Sequence, residues 1–397
     1  MRKIVYFLPD KDAGVTRVVK NLLLYRPVNV HIQYVVVLLH QSDDNSNAYR
    51  RVSNDLKADE IIRFEYSSNE NTYTICKRLH KILKSDEDII VSNDGFELKM
   101  VVVCKLKNPV VYILHGDFDY YYNIIKFNQS VIDSIIAISG KMEQEVQKLL
   151  DVENKNKVCK IYYPAIVEHK LPQNNNRLSG VFKILFAGTL DERKGADVLF
   201  PIYDELMMLG VSNFSFQIIG DGVLFKQLSD QFRNRANVVL SGWASNNTVL
   251  KEMSKADVFL FPSTSEGLPN VLVEALSVGA VPVASNLESG VKDIIEEGMN
   301  GLLVNCGDVK GFANAIADLY NNREKLEYLR SNSNTGLEKF SPYIQAAKYQ
   351  EKILEAGEIS IPRKFPKQFS MGRVLNKSWL PNWFVKSVRS VIKHPKL

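Results

Sequence analysis

The sequence has few cysteines and no long apolar run. Its 397 residues contain four cysteines without C-x-x-C spacing, at Cys76, Cys104, Cys159 and Cys306. This spacing excludes the common zinc and disulfide-exchange motifs, so we expect reduced, buried thiols in a cytoplasmic protein. The longest apolar runs, such as Val35–Leu39, fall far below the roughly 18 residues of a membrane-spanning helix. The opening MRKIVYFLPDKD does not resemble a signal peptide and is predicted to form the first β-strand.

The sequence also lacks the glycine run of a dinucleotide-binding fold. After the first predicted strand, Phe7–Val19 contains only Gly14, whereas a dehydrogenase has G-x-G-x-x-G at this point. The lone glycine argues against a nicotinamide cofactor. A single glycine before a helix can still bring backbone N–H groups close to a phosphate or an acceptor, and a plain turn is the alternative interpretation.

The net charge of +5 is unevenly distributed. The segment 358–397 contains nine lysines and arginines and one acid, so it carries +8, and the difference leaves −3 for the rest of the chain. An anionic partner is therefore expected to meet the tail rather than the body. Nucleic-acid binding by the body is disfavoured.

Short β-branched and aliphatic runs alternate with helix-length segments along the chain. Twelve runs are visible, namely KIVYFL, VHIQYVVVLL, IIRFEY, DIIVSND, PVVYILHG, SIIAIS, KILFAG, FSFQIIG, NVVLSG, DVFLFPS, AVPVAS and GLLVN. Near-continuous apolar strands followed by helical stretches are typical of parallel sheets that are covered by helices. The sequence therefore predicts an α/β fold with two Rossmann-like parallel-sheet domains facing a cleft, a usual position for ligand sites.

A composition break predicts the domain boundary. Proline, asparagine, glutamine and glycine cluster in YYPAIVEHKLPQNNNRLSG, and no apolar period continues through it. We predict an N-terminal domain at 1–168 and a C-terminal domain at 169–340. A helix at 341–357 is expected to cross back to the N-terminal domain, and a basic amphipathic tail follows at 358–397.

The tail ends in a segment with the spacing of an amphipathic helix, SWLPNWFVKSVRSVIKHPKL. The predicted apolar face contains Phe384, Val388, Val391 and Ile392. The predicted basic face contains Lys386, Arg389 and Lys393. Trp379 and Trp383 lie at the edge between the two faces. This composition is typical of an interfacial helix attracted to anionic lipid, which predicts peripheral contact with the inner face of the plasma membrane. A terminal helix that packs its apolar face on the N-terminal domain is an equal alternative.

The stretch SEGLPNVLVEALSVGAVPVAS contains a predicted strand-to-helix turn. Pro269 suits the first position of a helix because its missing N–H has no partner there, and Gly279 can end that helix. The N–H groups of Asn270 and Val271 then lie at the positive end of the helix dipole, which favours phosphate oxygens.

Two carboxylates lie on this stretch. Glu266 precedes the Gly-Leu-Pro turn, and Glu274 lies two turns along the predicted helix. Taken singly, Glu266 can be a solvated loop residue, and Glu274 can be an acid that merely favours the early part of a helix. Joined to the turn and the flanking strands, the pair becomes a specific pattern.

That pattern resembles the E-x7-E signature of the family-four retaining glycosyltransferases, which have the two-domain GT-B fold. The resemblance extends to about residue 357. KILFAGTLDERKGADVLF resembles the family's phosphate-contacting strand and loop, IIGDGVLFKQL resembles its next strand and turn, and DAGVTRVVKNLL resembles its glycine-bearing first loop. YILHGD resembles the loop whose histidine faces the donor sugar.

The resemblance implies that the N-terminal domain binds the acceptor and that the C-terminal domain binds the nucleotide sugar. It also implies roles for individual residues. Glu266 is expected to bind the donor sugar and stabilise positive charge at the anomeric carbon, and Glu274 to hold the ribose hydroxyls. Lys194, aided by Arg193, is expected to neutralise the diphosphate leaving group. His115 is expected to contact the donor sugar without acting as a base. Further donor contacts are expected at Gly14, Gly188, Gly267, Leu268, Asn270, Val271 and Trp243.

Two features bear on the electrostatics of the predicted site. The family usually has arginine where this chain has Thr189, so either Arg193 compensates or the phosphate is held more weakly. Asp117 and Asp119 form a D-x-D sequence, which binds a divalent metal in the other large glycosyltransferase architecture. Here the pair follows the His-Gly of the N-terminal half, so we predict coincidence or acceptor contact, and no metal or other cofactor.

The predicted function is that of a retaining glycosyltransferase in bacterial surface polysaccharide biosynthesis. It would transfer a sugar from a UDP- or GDP-linked donor to a hydroxyl of a glycan or lipid-linked acceptor. Retaining hydrolases use a second carboxylate as nucleophile, and no obvious one lies near Glu266 in the sequence, so a same-face displacement fits better. The alternatives are a sugar-nucleotide epimerase and an inactive nucleotide-sugar-binding partner protein, the latter motivated by Thr189.

Overall fold

The computed structural model describes residues 2–44, 50–165, 180–358, 363–366 and 374–393. The side chains of residues 392 and 393 lie outside this description. The chain forms two compact units. Unit 1 contains residues 1–138, 142–164 and 342–397, and unit 2 contains residues 139–141 and 165–341. The predicted linker lies largely at 166–179, outside the described residues, and so does the predicted boundary at 168/169.

Unit 1 is built on a parallel seven-stranded sheet with the order β3-β2-β1-β4-β5-β6-β7. Its strands are β1 (Arg2–Pro9), β2 (Ile32–Gln41), β3 (Glu60–Tyr66), β4 (Ile89–Ser92), β5 (Val110–Leu114), β6 (Ser134–Ala137) and β7 (Val158–Lys160). Every residue of β4, β5 and β6 is buried, as expected for central strands that are covered on both faces.

Helices cover this sheet and include two from the end of the chain. They are α1 (Gly14–Tyr25), α2 (Thr72–His80), α3 (Phe96–Cys104), α4 (Asp119–Asn128), α5 (Gly140–Leu149, which begins in unit 2), α13 (Pro342–Glu358) and α14 (Asn382–Lys393). Helix α13 packs against α1 and against the central strands of the unit 1 sheet.

Unit 2 is built on a parallel six-stranded sheet with the order β10-β9-β8-β11-β12-β13. Its strands are β8 (Phe182–Ala187), β9 (Phe214–Ile219), β10 (Val238–Leu240), β11 (Val258–Phe261), β12 (Val281–Ser285) and β13 (Leu302–Val304). Buried aromatic and aliphatic side chains, among them Phe182, Phe216 and Phe312, form the core of this unit. Their burial supplies the main driving force for its folding.

The helices of unit 2 follow its strands in the alternation that a parallel sheet requires. They are α6 (Leu199–Met208), α7 (Phe225–Phe232), α8 (Asn246–Met253), α9 (Asn270–Ser277), α10 (Val291–Ile294), α11 (Val309–Asn321) and α12 (Arg323–Ser331). Among the described residues of the whole chain, no helix is long and apolar enough to span a membrane.

All twelve predicted strands are present, and the structure adds β7, a three-residue strand whose sequence VCK has too short an apolar run to be recognised. The expectation of buried cysteines is wrong in part. Cys76 is buried and Cys104 and Cys159 are partly buried, but Cys306 is exposed because it follows β13 in a surface turn. All four thiols are free.

The predicted C-terminal helix is present as α14, but the face that packs differs from the prediction. Arg389 was expected on an outer basic face, yet it is buried together with Val385. Phe384 and Val391, expected on the packing face, are exposed. Arg389 is buried because its guanidinium donates to backbone carbonyls of unit 1.

Candidate functional site

Three glycines bring the carboxyl ends of β8, β9 and β10 close together. The N–H of Gly188 donates to Ile219 O at 3.0 Å, and the N–H of Gly220 donates to Gly242 O at 2.8 Å. Gly220 has φ of +155°, and a Cβ there would lie 1.8 Å from Gly188 O. A side chain at position 220 is therefore excluded, and bare backbone lines the edge of the sheet where α/β proteins bind ligands.

The turn that follows β8 is fixed by a cap and by a glycine. Asp191 accepts from the N–H of Lys194 at 2.8 Å and so closes the short 3-10 turn Glu192–Lys194. Gly195 follows with φ of +70°, and a Cβ there would lie 2.2 Å from Pro262 O. The turn therefore lies directly against the chain that leaves β11, and only glycine permits that approach.

The loop after β11 is bonded to the same turn. The N–H and the hydroxyl of Thr264 both donate to Arg193 O, at 2.9 and 3.2 Å. The Arg193 guanidinium donates to Ser265 O at 3.4 Å. Two loops that are far apart in sequence are thus held together by their backbones, which leaves the next side chains, Lys194 and Glu266, facing each other.

Glu266 is the centre of the charged part of the site. Its Oε1 lies 2.5 Å from Lys194 Nζ and 3.8 Å from the Arg193 guanidinium. The Glu266 side chain is only 9% exposed and that of Lys194 only 21%. A buried carboxylate needs such partners, so Glu266 is not a solvated loop residue. The lysine ammonium has three donors, so it can hold Glu266 and still bind a phosphate oxygen.

Helix α9 begins directly after this loop. Pro269 occupies the position before the first helical residue, one place earlier than predicted, because its ψ of 94° is extended rather than helical. Gly279 ends the helix, as the sequence predicts: it has φ of +78° and donates to Leu276 O. The first N–H groups of α9, on Asn270 and Val271, have no earlier helical carbonyl to bind.

Glu274 lies on α9 and is only 6% exposed. Its Oε1 accepts from the side-chain amide of Asn246, the first residue of α8, at 3.4 Å. This distance is long for a hydrogen bond. Glu274 is buried, whereas an acid that only favours the start of a helix is ordinarily exposed.

Other polar atoms around α9 are buried without a hydrogen-bond partner. They include Ser263 Oγ and Asn270 Oδ1, which flank the Glu266 loop. Gly267, in the same loop, accepts from the N–H of Gly290 at 2.8 Å, and Leu268 is buried. Unsatisfied buried polar atoms are uncommon in folded proteins, and a polar ligand at this loop would give these two atoms partners.

In unit 1, His115 follows β5 and belongs to a neutral hydrogen-bond network. Its Nε2–H donates to Asn93 Oδ1 at 2.8 Å, and its Nδ1 accepts from the Tyr163 hydroxyl at 2.5 Å. The tautomer follows from Asn93, whose amide donates to Phe7 O and so turns its oxygen towards the ring. Burial lowers the pKa of His115 to about 3, so the ring is neutral. Contact with a donor sugar stays a prediction.

Glu97 lies close to this network and is fully buried. Its Oε1 accepts from the N–H groups of Asn93 and Gly95, at 3.2 and 3.3 Å, and its Oε2 is buried without a hydrogen-bond partner. Burial raises the pKa of Glu97 to about 7. Sequence reasoning missed this residue because a glutamate in the first turn of a helix is ordinarily a surface acid.

The D-x-D aspartates also lie in unit 1. Asp117 accepts from the Tyr122 hydroxyl at 2.7 Å, and Asp119 begins α4. Within the described ranges, no three His, Cys, Asp or Glu side chains cluster closely enough to hold a metal ion.

The remaining predicted residues lie in both units. Gly14 begins α1 in unit 1, with open space around the position of a Cβ. Thr189 and Trp243 are exposed at the carboxyl edge of the unit 2 sheet, after Gly188 and Gly242.

Four residues of the site were not predicted from the sequence, namely Asp191, Gly195, Asn246 and Thr264. The capping pattern Asp-x-x-Lys was visible, but the partners of the other three lie far away in sequence.

The architecture of both units matches solved GT-B structures. A structure of HepE from Anabaena in complex with UDP and glucose superimposes with a TM-score of 0.70 at 16% identity, over 90% of this chain and 100% of that one. Two parallel-sheet α/β domains of this kind define the GT-B class, so the predicted fold class is confirmed.

The sequence comparisons add similarity to glycosyltransferases. Residues 167–335 match the family model described as glycosyl transferases group 1. An uncharacterized glycosyltransferase of Methanocaldococcus jannaschii is 28% identical over 283 residues, which is 68% of this chain and 76% of that protein. The amylovoran biosynthesis glycosyltransferase AmsK of Erwinia amylovora is 33% identical over 140 residues, about a third of each chain. The relatives and the family region support a group 1 glycosyltransferase.

Proposed function

We propose that the protein is a retaining glycosyltransferase that takes its sugar from a nucleoside diphosphate donor bound in unit 2. The observation that carries the proposal is the nearly buried contact between Lys194 and Glu266, with the buried Glu274 on the helix that follows. At one sheet edge, Lys194 and the start of α9 fit a diphosphate. Glu266 fits the donor sugar, and Glu274 fits the ribose. UDP bound to HepE, a protein of the same fold, supports this class of ligand.

Each charged residue has a distinct role in the proposal. Lys194 and Arg193 bind the diphosphate, with the first N–H groups of α9 as further donors. Glu266 accepts from the donor sugar's hydroxyls and stabilises positive charge at the anomeric carbon. Glu274, buried on α9, accepts from the ribose hydroxyls.

The proposed reaction is a same-face displacement. The bond between the anomeric carbon and the diphosphate oxygen breaks while a bond from the acceptor oxygen forms on the same face. The departing phosphate accepts the proton of the acceptor hydroxyl, so no separate protein base is required. Lys194 stabilises the negative charge that develops on the leaving group, a preorganised electrostatic contribution. The proposal includes no metal.

The proposed acceptor is a hydroxyl of a glycan or of a lipid-linked glycan, and the proposed setting is bacterial surface polysaccharide synthesis at the inner face of the plasma membrane. The similarity to AmsK supports polysaccharide synthesis, and the basic segment 358–397 supports a position near anionic lipid. The glycosyltransferase relatives favour transfer over epimerisation.

A thermal-shift screen of UDP-, GDP- and ADP-sugars tests the donor assignment. We expect one nucleotide class to raise the melting temperature of the wild-type protein, and the shift to disappear in Glu274→Ala. Glu338→Ala is a suitable control because Glu338 is an exposed glutamate of the same unit. A shift that is identical in wild type and Glu274→Ala contradicts the ribose contact.

Product analysis separates transfer from its alternatives. We expect the stabilising donor to be consumed only when an acceptor is added, with the anomeric configuration retained in the product. An isomeric nucleotide sugar that forms without an acceptor would instead identify an epimerase. Tight binding without turnover across an acceptor panel would identify an inactive binding protein.

A further inference from the structure

The C-terminal segment 374–391, called the strap below, is held on unit 1 by polar contacts. Asn71, at the start of α2, is the first anchor. Its N–H donates to Asn382 Oδ1 at 2.8 Å, and its side-chain amide donates to Lys377 O and Leu380 O at 2.9 and 2.8 Å. The N–H of Thr72 donates to Asn376 Oδ1 at 3.1 Å. These bonds fix the strap at the N-terminal end of α2.

Arg389 is the second anchor. Its guanidinium donates to Ser68 O at 3.2 Å, to Glu70 O at 2.5 Å and to Asn376 Oδ1 at 3.0 Å. The neighbouring Val385 is completely buried. A guanidinium that donates to three acceptors holds the segment by charge-assisted hydrogen bonds, which are stronger than neutral ones. The inner face of the strap is therefore satisfied by unit 1.

The outer face of the strap is apolar and exposed. Trp379 is 75% exposed, Trp383 is 71% exposed and Val391 is 70% exposed, and Phe384 is exposed beside them. Single exposed apolar residues are common, but several large ones on one short segment mark an interaction surface. The inner contacts are what keep these side chains outward, since they fix which face of α14 packs.

The charge of the same region indicates the partner. No acidic residue occurs in 359–397, whereas nine lysines and arginines do. Within the strap, Lys377 and Lys386 are exposed, and Lys386 lies 3.9 Å from Glu70. A second copy of this chain would bring like charge to the surface, which disfavours self-association through it. Exposed indoles beside lysines are instead typical of side chains at the boundary of an anionic lipid layer.

We propose that the strap docks unit 1 on an anionic lipid surface. Trp379, Trp383 and Val391 enter the boundary between headgroups and acyl chains, and the neighbouring lysines bind lipid phosphates. The polar anchors at Asn71 and Arg389 keep the strap on unit 1 during docking. The proposal does not depend on sugar transfer, because lipid binding is measured without donor or acceptor.

Tryptophan fluorescence tests the depth of docking. The chain has three tryptophans, so Trp243→Phe leaves only the two of the strap as reporters. With vesicles of phosphatidylcholine mixed with phosphatidylglycerol, we expect a blue-shifted emission and quenching by brominated acyl chains. With pure phosphatidylcholine, we expect neither change. An unchanged spectrum on anionic vesicles overturns the proposal.

Vesicle co-sedimentation of the full chain tests the residues. The double variant Trp379→Ser and Trp383→Ser is expected to lower the affinity for anionic vesicles by at least about tenfold, because it removes two large interfacial side chains. Tyr328→Ser is the control, since Tyr328 is an exposed aromatic residue of unit 2. Both tryptophans are exposed, so the double variant should keep its fold, which circular dichroism checks. Equal binding of wild type and double variant, or strong binding of wild type to neutral vesicles, contradicts the proposal.

Discussion

The carboxyl ends of the two parallel sheets differ in how they hold polar side chains. In unit 2, this edge carries charged side chains in direct contact, with Glu266 beside Lys194 and Arg193. In unit 1, the ends of β4 and β5 carry the neutral network of His115, whose pKa burial lowers to about 3. Glu97 lies beside that network, and burial raises its pKa to about 7. Two sheets of the same architecture therefore present different chemistry at the edge where ligands bind.

The difference has a physical cause in the loops. The loops of unit 2 begin with glycines and lie backbone to backbone, so long charged side chains project from them while part of each stays in solvent. The polar side chains that follow β4 and β5 lie deeper and bind one another or backbone groups, and burial disfavours the charged forms of His115 and Glu97. The charged edge of unit 2 is the one that the proposed diphosphate requires.

The largest expected effect comes from removing the lysine of the charged edge. Lys194→Ala should lower kcat by about a hundredfold, because it removes one preorganised contact with the leaving group. Steady-state kinetics with the donor found by thermal shift measures the change. The matched control is Lys310→Ala, an exposed lysine of unit 2, which should leave kcat unchanged.

The same variant separates a chemical role from a structural one. If Lys194 only stabilises the loop that holds Glu266, then the melting temperature falls and kcat measured below that temperature is nearly unaffected. A loss of kcat smaller than about threefold would mean that the charged edge of unit 2 does not act on the leaving group.

The buried side chains of Glu97 and His115 in unit 1 predict an unusual dependence of stability on pH. Glu97 has its pKa raised from 4.5 to about 7, so its contribution is full below pH 4.5 and is lost as the pH rises through 7. His115 has its pKa lowered from 6.5 to about 3, so the unfolded chain binds a proton that the folded chain lacks, and stability is lost as the pH falls below 6.5. Between pH 4.5 and pH 6.5, the stability that Glu97 loses with rising pH is offset by the stability that His115 gains.

Glu97→Gln removes the pH-dependent contribution of Glu97 to the free energy of unfolding and keeps an oxygen that can accept hydrogen bonds. In the variant, the free energy of unfolding should fall towards acid by up to about 1.4 kcal/mol per pH unit more steeply than in wild type. Urea titrations at about pH 5 and about pH 7 measure it, with the exposed Glu87→Gln as control. Parallel pH dependence in wild type and Glu97→Gln would show that Glu97 is charged in the folded protein.

Much of the fold follows from the sequence because strands and helices are local. Twelve strands were visible as apolar runs, and the turn from β11 into α9 is one continuous segment, so the positions of Glu266 and Glu274 could be predicted together. The end of α9 was also visible, since Gly279 has the positive φ that such ends favour. The resemblance to a known family then predicted a role for Lys194, which the periodicity of the sequence could not predict.

The remaining features depend on contacts between distant residues. Lys194 and Glu266 are 72 positions apart, and their contact depends on how closely Gly195 lies against Pro262. Arg389 was expected in solvent on an amphipathic pattern, but it donates to carbonyls more than 300 positions away. Amphipathic spacing gives the faces of a helix; it cannot say which face finds acceptors.

The smallest expected effect concerns the missing arginine of the charged edge. Thr189 is exposed beside Gly188, at the position where the family that this sequence resembles usually has an arginine. Arg193 lies close enough to Glu266 to take the place of that arginine. Thr189→Arg should raise kcat/KM by about two- to fivefold, because a partly exposed ion pair with phosphate is worth roughly 1 kcal/mol at most.

In an Arg193→Ala background, the same substitution should restore a larger share of the lost activity, whereas Thr335→Arg, at another exposed threonine of unit 2, should restore none. Equal behaviour of Thr189→Arg in both backgrounds would mean that Arg193 does not bind the diphosphate, and Lys194 would then be left as the cation assigned to it in unit 2.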